Sequence, residues 1–119
     1  MTYVKVELTK ELREHTIEIV EKSAKGKMKA GLNEVTKAIE RGTAKFVVIA
    51  EDVSPAELVM HLPLLCEEKG VVYSYIATKK ELGEKAGLRM ETAAIAIIET
   101  PLVNDIKDLG AKIAEIKKW

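Results

Sequence analysis

A single cysteine, Cys66, stands in 119 residues, which excludes an internal disulfide and a zinc site built on cysteines. Nothing in that usage points to an oxidising compartment. Aromatic side chains make up only 4% of the chain, too few to stack a row of single-stranded bases on a sheet. Any nucleic acid must then be held through hydrogen bonds and backbone contacts. No run approaches the roughly 18 to 20 uninterrupted apolar residues that cross a bilayer. The start, Met1-Thr2-Tyr3-Val4-Lys5, lacks the charged-then-apolar layout of a signal peptide. A cytoplasmic protein with no membrane partner is expected.

Catalytic signatures are equally sparse. There is no Gly-x-Gly-x-x-Gly, no Gly-x-x-x-x-Gly-Lys-Ser/Thr and no serine in a Gly-x-Ser-x-Gly setting, so neither a nucleotide cofactor nor an acyl-enzyme has a cradle. His15 and His61 are far apart in sequence. Cys66 follows His61 by five residues, a spacing that does not put both on one helical face. His15 reads as a helix-surface residue, His61 as a packing or helix-local residue and Cys66 as a small buried hydrophobe. Glu51-Asp52 lacks the other ligands of a hard-cation site and reads as a strand-end or helix-start feature. The expectation is a protein that is not an enzyme, with no catalytic residue, metal or cofactor.

What is present is a chain with 47% hydrophobic residues, enough for one ordinary core, and residues 1–119 are read as a single domain. Its 19 basic and 19 acidic residues cancel overall but not locally. Between Lys22 and Lys45 lie Lys22, Lys25, Lys27, Lys29, Lys37, Arg41 and Lys45 against only Glu34 and Glu40, a local excess of five positive charges that the remainder must offset. Such a chain can bind a polyanion through one oriented footprint and repel it elsewhere. A charge run of this kind also suits a merely solvated face.

Val4, Val6 and Leu8 alternate with polar residues as in a half-buried edge strand, and Thr9 is placed to cap a helix. Leu12, Thr16, Ile19 and Val20 recur at helical spacing in a segment ending near Ala24. Gly26 to Gly31 is loop-like. Asn33 suits a cap for a short helix with Val35, Ala38 and Ile39 on its apolar stripe and Gly42 as its stop. Phe46 to Ala50 is a continuous apolar run, the pattern of a central strand covered on both faces. Ser54-Pro55 opens a helix carrying Leu58, Val59, Leu62, Leu65 and Cys66 to Gly70, with Pro63 expected to bend it or remove a hydrogen bond. Val71 to Ile76 is a strand, Thr78 caps a helix ending near Ala86-Gly87, and Ala93 to Ile98 is another strand. After Pro101 comes a last helix with Val103, Ile106, Leu109, Ile113 and Ile116. Alternating strands and helices at this length imply an α/β fold, a three-layer α-β-α sandwich around a mixed sheet of about four strands.

The most specific pattern runs from Gly31 to Arg41. Asn33, Lys37 and Arg41 are spaced by four, and Glu34 lies three before Lys37, so one helical face carries an amide, a carboxylate and two cations. An amide donates and accepts, and a carboxylate accepts from guanine N–H groups, so Asn33 and Glu34 can inspect a base edge while Lys37 and Arg41 hold phosphates or purine acceptors. Free amides at the helix start and the small Gly31 would admit an RNA backbone. The same residues also fit a capped surface turn with a Glu34–Lys37 pair. Spacing alone leaves both readings open.

At these residues the chain resembles the kink-turn-binding ribosomal protein family, especially its archaeal large-subunit member. Lys29-Ala30-Gly31-Leu32-Asn33-Glu34-Val35-Thr36-Lys37-Ala38-Ile39-Glu40-Arg41-Gly42 is similar to the family's signature. Ala50-Glu51-Asp52-Val53, His61-Leu62-Pro63-Leu64-Leu65-Cys66-Glu67-Glu68-Lys69, Lys79, Leu82-Gly83, Gly87 and Ala94-Ile95-Ala96-Ile97-Ile98 extend it over essentially the whole chain. The resemblance implies an α-β-α sandwich that binds kink-turns and kink-loops, RNA bends built on tandem sheared G·A pairs. It implies that Asn33, Glu34 and Lys37 read guanines, and that Lys29, Gly31, Arg41 and Lys79 meet the RNA backbone. Leu88, Arg89 and Met90, in the loop to Ala93, would cover a flipped-out nucleotide.

The implied partners are ribosomal RNA of the large subunit, guide RNAs of the box C/D and H/ACA classes, ribonuclease P and ribonucleoprotein core proteins, with the free protein monomeric. Ala30 stands where the family usually has a second lysine, and Lys27 and Lys29 are close enough to compensate. Glu91 departs from the proline or small residue common near that point, and a carboxylate pointing toward phosphates there is unfavourable. The alternative from another class is a protein-interaction scaffold within a ribonucleoprotein, its basic segment bound to acidic protein surfaces.

Overall fold

A computed structural model describes residues 10–24, 26–53, 59–100 and 102–116 of the chain. In order these form α1 (Lys10–Ser23), β1 (Lys27–Ala30), α2 (Leu32–Glu40), β2 (Phe46–Ala50), α3 (His61–Lys69), β3 (Val72–Ile76), α4 (Lys79–Lys85), β4 (Ala94–Glu99) and α5 (Val103–Ile116). The sheet runs β1-β4-β2-β3. β2 and β3 are parallel, while β4 is antiparallel to both β1 and β2, so the sheet is mixed. Helices α1, α4 and α5 pack together on one side, and α2 and α3 on the other. This is the expected three-layer sandwich.

Hydrophobic pattern explains most of it. Every residue of β2 is buried, and Ala94, Ile95, Ala96 and Ile97 of β4 are fully so, because a strand covered on both faces loses the polar alternation of a half-solvated one. Each fully buried aliphatic chain contributes about 1.5–3 kcal/mol relative to exposure. Leu12, Thr16, Ile19 and Val20 line the inner face of α1, as their spacing requires. The Thr16 hydroxyl sits against the Ser74 hydroxyl at 2.7 Å, which satisfies two polar groups under the helix.

Two expectations need correction. Gly26 to Gly31 is not simply a loop, since Lys27–Ala30 pairs antiparallel with β4 and its exposure alternates along the strand. Lys-Met-Lys-Ala carries that alternation, but its two lysines and flanking glycines mask so short a segment. Asn33 is not a cap, because the helix starts one residue earlier and Gly31 occupies the capping position with no side-chain hydrogen bond. Pro63 is the third residue of α3, within its first turn, where proline is tolerated. The expected strand through Val4, Val6 and Leu8, the Thr9 cap and the Ser54-Pro55 helix start lie outside the described residues.

Candidate nucleic-acid interface

Strands β1, β2 and β3 end, and β4 begins, at the same end of the sheet. Gly31 stands there with φ +95° and ψ 151°, a backbone geometry that side-chain-bearing residues rarely adopt. Its N–H donates to the Ala94 carbonyl at 3.0 Å, and its own carbonyl accepts from Val35 N–H at 2.9 Å. The start of α2 is thereby tied to the start of β4. Among the described residues, its chain neighbours apart, nothing lies within 4 Å of where a Gly31 Cβ would project, so the position faces open space.

Val35, Ala38 and Ile39 anchor α2 in the core and leave Asn33, Glu34, Lys37 and Glu40 exposed. Glu34, Lys37 and Arg41 then line a groove of about 180 Å³ with Lys27 and Lys29 from β1, floored by Ala38, Thr43 and Ile98. Asn33 is exposed in the first turn of α2. Among the described residues, no hydrogen bond or ion pair engages the side chains of Asn33, Glu34, Lys37, Arg41, Lys27 or Lys29. One carboxylate and four cations thus share a groove without being consumed by one another. Lys27, read in sequence with Lys29 as a cation that compensates for Ala30, lines the groove because β1 alternates and leaves both lysines exposed.

A second cluster sits at the start of α4. The Thr78 side chain caps the helix by accepting from Glu81 N–H at 3.0 Å. Asp52 Oδ1 accepts from Lys79 N–H at 2.8 Å, which gives the Glu51-Asp52 turn its structural task, while Glu51 pairs with Arg13. Lys79 Nζ lies 3.6 Å from Glu91 Oε1. The loop from Leu88 to Ala93 closes against Gly83, where a Cβ would come within 2.2 Å of the Met90 carbonyl oxygen. Leu88 is half-buried and packs on the core, whereas Arg89 is exposed and Met90 is 74% exposed. The buried Thr92 hydroxyl donates to the Ala94 carbonyl at 3.0 Å, the same oxygen that receives Gly31 N–H. That carbonyl joins the two clusters.

The structure therefore gathers Lys29, Glu34, Lys37 and Arg41 in one groove, while Gly31 and Asn33, at the start of α2, are not among its lining residues. Lys79, Leu88, Arg89 and Met90 lie at the second cluster, around the start of α4 and the loop that closes on Gly83. Elsewhere, His61 Nε2 shares a hydrogen bond of 3.1 Å with the Thr36 hydroxyl, and Cys66 is buried. Among the described residues no group of three or more His, Cys, Asp or Glu side chains is placed to hold a metal ion, and no helix is long and apolar enough to cross a membrane.

Residues 13–107, which span both clusters, match the ribosomal protein L7Ae/L30e/S12e/Gadd45 family. The chain belongs to that family. Among solved structures it is similar to the Giardia lamblia 15.5kD RNA binding protein, with 33% sequence identity over 92% of each chain and a TM-score of 0.83. Both the groove and the Lys79 corner of this L7Ae-type fold lie inside the matched span, so neither is an appendage to it.

Proposed function

We propose that the chain is one structural RNA-binding domain over residues 1–119 that recognises kink-turn and kink-loop RNA through the start of α2 and performs no chemistry of its own. The observation that carries this reading is the unpartnered face of α2, with Glu34 beside four cations and Asn33 exposed in the same first turn, in a chain of the L7Ae-type family. The RNA-binding description of the Giardia protein supports it. A carboxylate in a cationic groove repels phosphate oxygens but accepts from guanine imino and amino groups, so Glu34 favours base edges where lysines alone would favour any backbone. Asn33 and Lys37 complete the base contacts. Lys29, Gly31, Arg41 and Lys79 meet the backbone, and Leu88, Arg89 and Met90 flank an extruded nucleotide.

Tandem sheared G·A pairs present the guanine edges such a face requires. Because a protein shifts a conformational equilibrium only by its differential affinity, the chain stabilises the kinked RNA by leaving the extended form without matching contacts. Its settings on this reading are the large ribosomal subunit, as in archaea, the box C/D and H/ACA guide ribonucleoproteins and ribonuclease P, all in the cytoplasm, with core proteins docking on the assembled complex. A gel-shift titration compares a kink-turn RNA with the same RNA lacking its G·A pairs. Tighter binding of the first supports the proposal, and equal affinity overturns it.

A further inference from the structure

The cations of the site are not equivalent. Among the described residues Lys29, Lys37, Arg41 and Arg89 make no ion pair, whereas the Lys79 ammonium faces the Glu91 carboxylate at 3.6 Å. Both partners are presented by fixed backbone. On one side, Lys79 N–H is held by Asp52 at the capped start of α4. On the other, the Glu91 Cα lies 3.1 Å from where a Gly83 Cβ would stand, so glycine is what allows the loop to approach. The next residue, Thr92, donates its N–H to the Lys79 carbonyl at 3.3 Å. The pair is nevertheless at the surface, with the side chains 34% and 60% exposed, so an incoming anion can reach it.

A carboxylate and a phosphate are both oxyanions and compete for one ammonium. We infer that Glu91 is an internal stand-in for an RNA phosphate at Lys79, a latch that lowers RNA affinity through that lysine and opens when RNA held by α2 delivers a phosphate to the corner. The inference rests on the RNA-binding reading above. Once α2 has engaged the RNA, the phosphate at Lys79 acts at a high effective concentration, which is what an exposed pair yields to. RNA touching this corner alone has no such advantage.

A double-mutant cycle tests it, with Kd measured by fluorescence anisotropy on a kink-turn RNA at several salt concentrations. Glu91→Gln is expected to tighten binding about two- to fivefold at low salt, the scale of one exposed ion pair. It should also steepen the salt dependence by about one released counterion. In a Lys79→Met background, which keeps the aliphatic stem, the same Glu91→Gln change is expected to leave Kd unaltered. Equal tightening in both backgrounds would assign Glu91 to general repulsion of the polyanion and overturn the latch, as would no tightening in either. A parent protein that binds no RNA overturns the functional reading and this inference together, while one that binds the kink-turn without Glu91–Lys79 coupling overturns this inference alone.

Discussion

Around Gly31 the backbone is committed and the side chains are not, while around Lys79 both are. The α2 start is fixed by two hydrogen bonds through Gly31 and by Val35, Ala38 and Ile39 in the core, yet Asn33, Glu34 and Lys37 project without partners. At the neighbouring corner Asp52, Glu91 and Thr92 each hold Lys79, Thr78 holds Glu81 N–H, and the loop through Glu91 closes on Gly83. A rigid frame carrying unengaged polar groups is what a reading surface requires, because contacts to a ligand then cost no internal bond. A corner whose groups already satisfy one another serves first as support. Substitutions should therefore separate the two regions, with binding lost before stability at α2 and stability lost before binding at α4.

The largest expected effect is at Gly83. Placing a Cβ 2.2 Å from the Met90 carbonyl forces the loop away, and Gly83→Ala should destabilise the fold by about 3 kcal/mol, measured by urea denaturation. Next, Glu34→Ala should weaken kink-turn binding by about 1–3 kcal/mol and erase the preference for G·A pairs. Its unfolding midpoint should stay at that of the parent because the side chain is exposed and unpaired. A large loss of stability there would break the contrast between the regions. Thr78→Ala removes the α4 cap and should cost about 1 kcal/mol in denaturation. The smallest is Lys29→Ala, expected to lower the salt slope of RNA binding by about one and to weaken kink-turn and control RNA alike. A selective loss on the kink-turn would instead move Lys29 among the base readers.

Much of this was legible in residue order. The continuous apolar runs at Phe46 to Ala50 and Ala94 to Ile97 announce strands with no polar face, and they are the two inner strands of the sheet. The spacing of Leu12, Thr16, Ile19 and Val20 announces the inner side of α1. Lys27–Ala30 was not legible, because four residues with two lysines carry too little hydrophobic signal to declare a strand that exists by pairing with β4. The pairing of Lys79 with Glu91 was hidden as well, since contacts across a loop depend on how that loop folds back. Sequence raised only the concern that Glu91 would face phosphates, whereas in the fold it faces a lysine.

By itself, the sequence determined the α/β class, the inner strands, the apolar stripe of α2 and the identity of the polar groups opposite that stripe, because each follows from periodicity within one element. Tertiary structure decided three other things. It made Gly31 rather than Asn33 the head of α2, it brought Lys27 and Lys29 beside Glu34 and Lys37, and it joined the two clusters through the Ala94 carbonyl. Each of these depends on which strands lie side by side and on how the chain returns between them, and pairings between distant segments leave no local mark in the order of residues.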